Sequence, residues 1–229
     1  MASHVSNVAR STATASAYLA AAGRRATLKR GDIVSSDDGV VILGDLALSV
    51  RRDGKPSFDL GFLGPGCVLG VEHIFVDYPP VVGRAMRDGF VWHVSHDALM
   101  RAINEREDVK AALMQIAVSS SANHFRRAAD AIEMRADRRV AQWVLECARA
   151  LETDELDITH HEIANALGVR RSSVTDGLHL IEADRVIRSH RRRLLIRDAV
   201  GLARYAGLDG DVPPVSRAGG GPRGGAGLS

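Results

Sequence analysis

Cysteine, lysine and long apolar runs are all scarce in this 229-residue chain. Its two cysteines, Cys67 and Cys147, are too few for a disulfide framework, or for a four-thiolate zinc or iron–sulfur site built from this chain alone. No stretch approaches the roughly 20 apolar residues of a membrane helix. The segment Tyr18-Leu-Ala-Ala-Ala22 is too short and badly flanked for a secretory leader, so a cytoplasmic protein without a membrane partner is expected. An excess of one charge is missing too: 30 cationic against 28 acidic residues leave +2, too little to announce a polyanion partner. Of the cations only Lys29, Lys55 and Lys110 are lysine, which reads as genomic composition rather than as a demand for arginine's forked donors. Glycine and proline are absent from Phe90 to Leu167. That gap permits long helices.

What is present divides into three regimes. From Gly31 to Gly89 glycine and proline are frequent and separate short apolar runs: Val40-Val-Ile-Leu43, Leu46-Ala-Leu-Ser-Val50 and Phe58-Asp-Leu-Gly-Phe-Leu63, with Phe90-Val-Trp-His-Val94 just beyond. Asp37-Asp-Gly39, Arg52-Asp-Gly54 and Asp88-Gly89 are turn signals between them. Many short strands at this spacing predict an antiparallel sandwich or barrel. The middle regime predicts a helix from about Glu105 to Met134, in which Val109, Leu113, Ile116, Ser120 and Asn123 share one face. That face has two readings, a helix packed on its own barrel or a dimer seam in which Ser119-Ser-Ser-Ala122 lets two backbones approach. A second helix, Asp137 to Leu151, aligns Val140, Trp143, Val144, Cys147 and Leu151, so Cys147 reads as a core residue. Beyond Asp209 the chain turns Gly- and Pro-rich, which predicts a disordered tail.

The most informative segment is Thr159 to Glu182. Thr159 and Glu162 form a capping box that starts a helix, in which Ile163, Ala164 and Leu167 face inward. Gly168 supplies the positive φ of a tight turn, and Val169, Val174, Leu178 and Ile181 form the buried stripe of a second helix. Its outer face carries Arg170, Arg171, Ser172, Ser173, Thr175, Asp176 and His179, a mixture suited to phosphates and base edges. Two arginines at a helix N-terminus oppose the macrodipole, and a nearby phosphate would remove the conflict; side chains simply extended into solvent are the plainer alternative. Gly177 inside this helix costs up to about 1 kcal/mol against alanine, and nothing in the sequence accounts for it. Next come Val186-Ile-Arg188, the basic turn His190-Arg-Arg-Arg193 and Leu194-Leu-Ile-Arg197, two strands and a turn with six arginines and no acid from Arg185 to Arg197. A helix-turn-helix followed by a basic hairpin is a winged helix, the geometry that seats one helix in the major groove of duplex DNA.

Arg138-Arg-Val-Ala-Gln142, Ile158-Thr-His-His-Glu-Ile-Ala164, Leu167-Gly-Val-Arg-Arg-Ser-Ser-Val-Thr175, Leu180-Ile-Glu182 and Val186-Ile-Arg188 resemble the C-terminal domain of the Crp/Fnr transcription regulators. Upstream, Leu28-Lys-Arg-Gly-Asp-Ile33, Leu43-Gly-Asp-Leu-Ala-Leu48, Pro65-Gly-Cys-Val-Leu-Gly70 and Asp88-Gly-Phe-Val-Trp-His-Val94 are similar to the turns of that family's cyclic-nucleotide-binding-type barrel. The resemblance implies an α+β fold: an N-terminal arm or helix (1–23), an antiparallel jelly-roll-like β-barrel (24–104), a long dimerisation helix (105–136), a winged helix-turn-helix (137–206) and the tail (207–229). It places Arg171, Ser172 and Asp176 where base contacts are usually made, and Thr159, His160 and Ser173 where phosphates are touched. His190, Arg191, Arg192 and Arg193 of the basic turn complete the expected DNA surface. Arg170 stands where a capping serine is common, and Asp176 where a second arginine often reads guanine, so a different preferred site is expected. Double-stranded DNA, a second copy of the chain and RNA polymerase are the partners this reading implies.

The effector site departs further. In cyclic-AMP-binding members a glutamate directly follows the glycine equivalent to Gly70 and an Arg-Ser pair grips the phosphate; here Val71 follows Gly70, and the later segment reads Tyr78-Pro-Pro-Val-Val82. Glu72 and Arg84 are the only shifted substitutes, so cyclic AMP is not expected to bind. The cysteine cluster of iron–sulfur-bearing relatives is missing, and Cys67, His73 and His93 read as structural residues rather than haem ligands or redox sensors. An enzyme is not expected either: in His161-Glu-Ile-Ala-Asn165 an asparagine stands where a zinc-protease helix needs its second histidine. The remaining alternative is a ligand- or partner-binding module whose helix-turn-helix only packs.

Overall fold

The computed structural model describes residues 13–52, 59–76 and 81–208. The tail from residue 209, the Asp53-Gly54 part of one expected turn and the Tyr78-Pro-Pro80 segment lie outside the described residues.

A helix over residues 13–21 (α1) leads into eight strands: β1 Arg24–Leu28, β2 Ile33–Ser35, β3 Gly39–Leu43, β4 Leu48–Arg52, β5 Asp59–Leu63, β6 Val68–Leu69, β7 Val81–Ala85 and β8 Gly89–Ser95. They form two four-stranded antiparallel sheets, ordered β1-β8-β3-β6 and β2-β7-β4-β5. β3 shows why the apolar runs are unbroken. Val41 and Leu43 pack with Leu48, Val50 and Val81 of the other sheet, while Val40 and Ile42 pack with Leu19, Leu99 and Leu113 from helices laid on the outside. Alternate side chains of one strand thus enter two different cores. β1, β2, β6 and β7 have no apolar run of their own that marks them in the sequence.

Helix α2, His96–Glu105, is capped by Ser95 Oγ accepting from Ala98 N at 3.4 Å. Next comes α3, Glu107–Glu133, whose faces revise the sequence expectation. Val109 and Leu113 are fully buried against the barrel, Ile116 packs on the same cluster, Ser120 donates to Glu72, and Asn123 lines a cavity. That stripe is the intramolecular face. The face left open, offset around the helix, carries Met114, Val118, Phe125 and Ile132, with Phe125 79% and Ile132 87% exposed. Both stripes follow a three-four spacing, so periodicity could not separate them.

Helix α4, Ala136–Leu151, is buried almost all round because it serves two domains. Its Trp143 stands edge-on to Phe62 of β5, ring centroids 5.1 Å apart, and donates through Nε1 to Asp59 at 3.4 Å. Glu146 on the next turn pairs with Arg127 of α3. Burial raises the Asp59 carboxyl above its usual range and, together with Arg126 nearby, lowers the Arg127 guanidinium to about 10.

The remaining elements are β9 Glu155–Leu156, α5 His160–Leu167, α6 Arg171–Ala183, β10 Ile187–His190, β11 Arg193–Ile196 and α7 Ala199–Tyr205. The hairpin expected from the sequence is the β10–β11 pair, and β9 adds a third strand on the far side of β11, with Leu156 opposite Leu194. Val144, Cys147, Ile163, Val174, Leu178, Ile181, Leu194 and Leu202 close one continuous core under these elements.

Candidate nucleic-acid interface

The first helix of the motif starts where its capping box puts it. Thr159 Oγ1 accepts from Glu162 N at 3.2 Å, and Glu162 Oε2 accepts from Thr159 N at 2.8 Å. Gly168 ends it at φ 64°, the left-handed region the turn requires. The second helix then crosses α4 so closely that a Cβ on Gly177 would lie 3.1 Å from Asp137 Cα, a backbone atom with little freedom to retreat. This accounts for the glycine: it secures the approach of α6 to α4 at the cost of local helix propensity. Tyr205 of α7 locks the same corner, its hydroxyl donating to Asp137 at 3.0 Å.

With Val174, Gly177, Leu178 and Ile181 buried, α6 turns Arg171, Ser172, Asp176 and His179 to solvent, and Arg170 before them is exposed as well. Ser173 is half-buried at its flank. Arg170 occupies the N-cap position without a side-chain cap bond, and the first turn holds no acid, so the leading amides of α6 keep their donor capacity beside two guanidiniums. Neither Arg170 nor Arg171 has an ion-pair partner among the described residues. Thr175 is used differently. Its hydroxyl donates to Arg171 O at 3.1 Å and stands 2.9 Å from His160 Nδ1, tying the first residue of α5 to the second helix. Burial, then the charges of Arg171 and His179, lower the His160 pKa, so its imidazole is neutral near pH 7.

At the wing, Arg191 and Arg192 form the two-residue turn between the paired His190 and Arg193, with Arg192 at φ 60°. The sequence shows no acid in this stretch, but β9 and the residue after it bring two. Arg193 Nε lies 2.5 Å from Glu155 Oε1, and Arg192 Nε lies 4.0 Å from Asp157 Oδ1. Sequence reading missed both carboxylates, since they stand some 35 residues upstream and only the third strand places them beside the turn. Arg191 alone of the three turn arginines has no ion pair among the described residues.

The barrel holds a cavity of about 620 Å³ between β5, β6, the 3-10 turn Val71–Ile74 and the helices α3 and α4. Gly70 and Glu72 line it, and Ser120 donates to the Glu72 carboxylate. Val71 is buried. Arg84 is not brought to them: it projects from the exposed face of β7, opposite Ile33 and Ser49. Cys67 is on the cavity wall, its thiol pushed up by burial, and Cys147 is sealed in the winged-helix core with its thiol raised for the same reason. His93 lies on β8 with a pKa lowered by burial and Arg24. Among the described residues no group of three or more His, Cys, Asp or Glu is arranged to hold a metal ion, and no helix is long and apolar enough to cross a membrane.

Comparison with known proteins agrees with this geometry. Residues 138–205 match the model of the Crp-like helix-turn-helix domain. A crp/fnr-family protein from Eubacterium rectale is similar over 84% of this chain and 94% of its own, at 18% identity and a TM-score of 0.67. FixK2 from Bradyrhizobium japonicum covers 83% of the chain and 99% of its own at 18% identity and 0.65. TTHA1359, a transcriptional regulator of the CRP/FNR family from Thermus thermophilus, covers 82% and 100% at 22% identity and 0.62. No curated protein matches the chain in sequence. Residues 138–205 are therefore a Crp-like helix-turn-helix domain, and the chain as a whole has the fold of the Crp/Fnr transcription regulators.

Proposed function

We propose that the chain is a sequence-specific DNA-binding transcription regulator that reads an inverted-repeat site as a homodimer and has lost its cyclic-nucleotide contacts. The observation that carries this reading is the outer face of α6, where an uncapped helix N-terminus and two unpaired arginines stand clear of solvent-excluding neighbours beside an arginine turn. Arg171, Ser172 and Asp176 face the bases. Ser173, Arg191 and Arg192 meet phosphates, while Thr159 and His160 set the first helix against the backbone and Thr175 orients His160. The exposed Met114, Val118, Phe125 and Ile132 of α3 support a two-fold seam, which pairs two α6 helices with half-sites about one helical turn apart. RNA polymerase is a further partner of a regulator of this kind.

The test is duplex binding. Arg171→Ala is expected to cost about 1–3 kcal/mol and to relax specificity at one base step, while Arg192→Ala weakens all sequences alike. Identical effects of the two changes overturn the docking. The cavity favours a second role, a sensor for a small molecule, in which the helix-turn-helix would not engage DNA; a flat salt dependence with every duplex would select it. For the cavity itself, Val71 after Gly70, the commitment of Glu72 to Ser120 and the outward Arg84 argue against a cyclic nucleotide. Titration calorimetry with cyclic AMP is expected to show no binding, and micromolar affinity would reverse that conclusion. Haem and iron–sulfur clusters have no part in the reading.

A further inference from the structure

The turn between β1 and β2 reaches the winged helix through one side chain. Arg30 donates from Nη1 to the Asp157 carboxylate and from Nη2 to the Asp157 carbonyl, and Nη2 also lies 3.7 Å from Glu162 Oε1. The base of Arg30 is anchored: its backbone N donates to Asp88 Oδ1 at 2.8 Å, while Lys29 Nζ holds Oδ2 of the same carboxylate at 3.0 Å. Nearby, Arg87 donates to Leu151 O at 3.2 Å. Two barrel arginines thus cross the seam, one to the end of α4 and one to the start of α5.

Both acceptors of Arg30 already have work at the interface. Glu162 is the capping carboxylate that fixes where α5 begins. Asp157 is approached from its other side by Arg192 of the wing turn, 4.0 Å from Oδ1. One carboxylate therefore stands between an arginine of the barrel and an arginine of the wing.

We propose that Arg30 is a positioning residue for DNA contact: by occupying Asp157 it leaves Arg192 free to meet a phosphate. The proposal rests on the DNA-binding reading above. Arg30 is the more enclosed partner, 35% exposed against 69% for Arg192, and it holds Asp157 by two hydrogen bonds while Arg192 stands 4.0 Å off. Without Arg30 the carboxylate keeps Arg192 as its remaining cationic neighbour. Arg192 then closes on it, and its charge is withdrawn from the DNA.

The experiment is a double-mutant cycle on the full-length chain, using a duplex of about 30 base pairs of arbitrary sequence, since a phosphate contact needs no particular site. Arg30→Ala is expected to weaken binding about threefold and to lower the salt slope by about one, with Arg30→Lys recovering part of the loss. Asp157→Ala is expected to bind as tightly as the unaltered chain, and the double variant to match it, because Arg192 has nothing left to close on. Additive losses overturn the proposal and leave the regulator reading intact. Failure of the unaltered chain to bind any duplex overturns both. Arg30 is at the surface, so the variants are expected to fold, and matching melting curves establish it.

Discussion

The winged helix and the barrel are both built on aliphatic side chains, yet they handle their polar groups in opposite ways. The winged helix closes its core completely, with Val144, Leu156, Leu178 and Ile181 all fully buried, and sends its arginines outward. The barrel leaves a cavity against α3 and α4, lined by Glu72 together with Ser120, Asn123 and Arg127 of α3. A closed core fixes a rigid outer surface, as recognition of a duplex requires; an open one leaves room for something to enter. α4 belongs to both, which is why it is buried on nearly every side.

The largest test of that contrast is packing. Leu178→Ala, in the closed core, is expected to cost about 3 kcal/mol in denaturant unfolding, whereas Leu60→Ala on the cavity wall costs less than about 1 kcal/mol because the space beside it is already empty. Equal losses would erase the distinction. Next in size is the two faces of α3. Phe125→Glu is expected to raise the dimer dissociation constant at least about tenfold in sedimentation equilibrium with little change in melting temperature. Leu113→Ala does the reverse, lowering the melting temperature through the buried face. The smallest effect concerns pH. The His160 pKa is lowered in the folded chain, so between that value and the ordinary imidazole range the unfolded state binds more protons and stability falls as pH drops below about 6.5. His160→Asn should flatten this part of the pH–stability curve, read against the unaltered chain because His93 and His124 shift in the same direction.

Where local rules governed, the sequence was readable. Thr159 and Glu162 cap a helix by contacts three residues apart, Gly168 ends it, and the Val174-Leu178-Ile181 spacing assigns a buried stripe that the structure repeats. It was least readable where one residue's meaning depends on a distant partner. Gly177 looked like a defect until Asp137 appeared 3.1 Å from its missing Cβ. The arginine turn looked uniformly cationic until β9 and the residue after it set Glu155 and Asp157 against it. On α3 the stripe from Val109 to Asn123 satisfied a dimer seam and an intramolecular contact equally, and the barrel took it.

The sequence by itself settled the helix over Asp137–Leu151, the two helices of the helix-turn-helix and the hairpin after them, where the motif turns, and which face of its second helix points outward, because capping, glycine geometry and side-chain period act within a few residues. Tertiary structure alone decided which side of α3 stays exposed, which arginines have no ion pair among the described residues, and that Arg30 of the barrel meets Asp157 of the winged helix. Those outcomes depend on groups far apart in the chain, and no local period or propensity encodes the distance between them once the cores have closed.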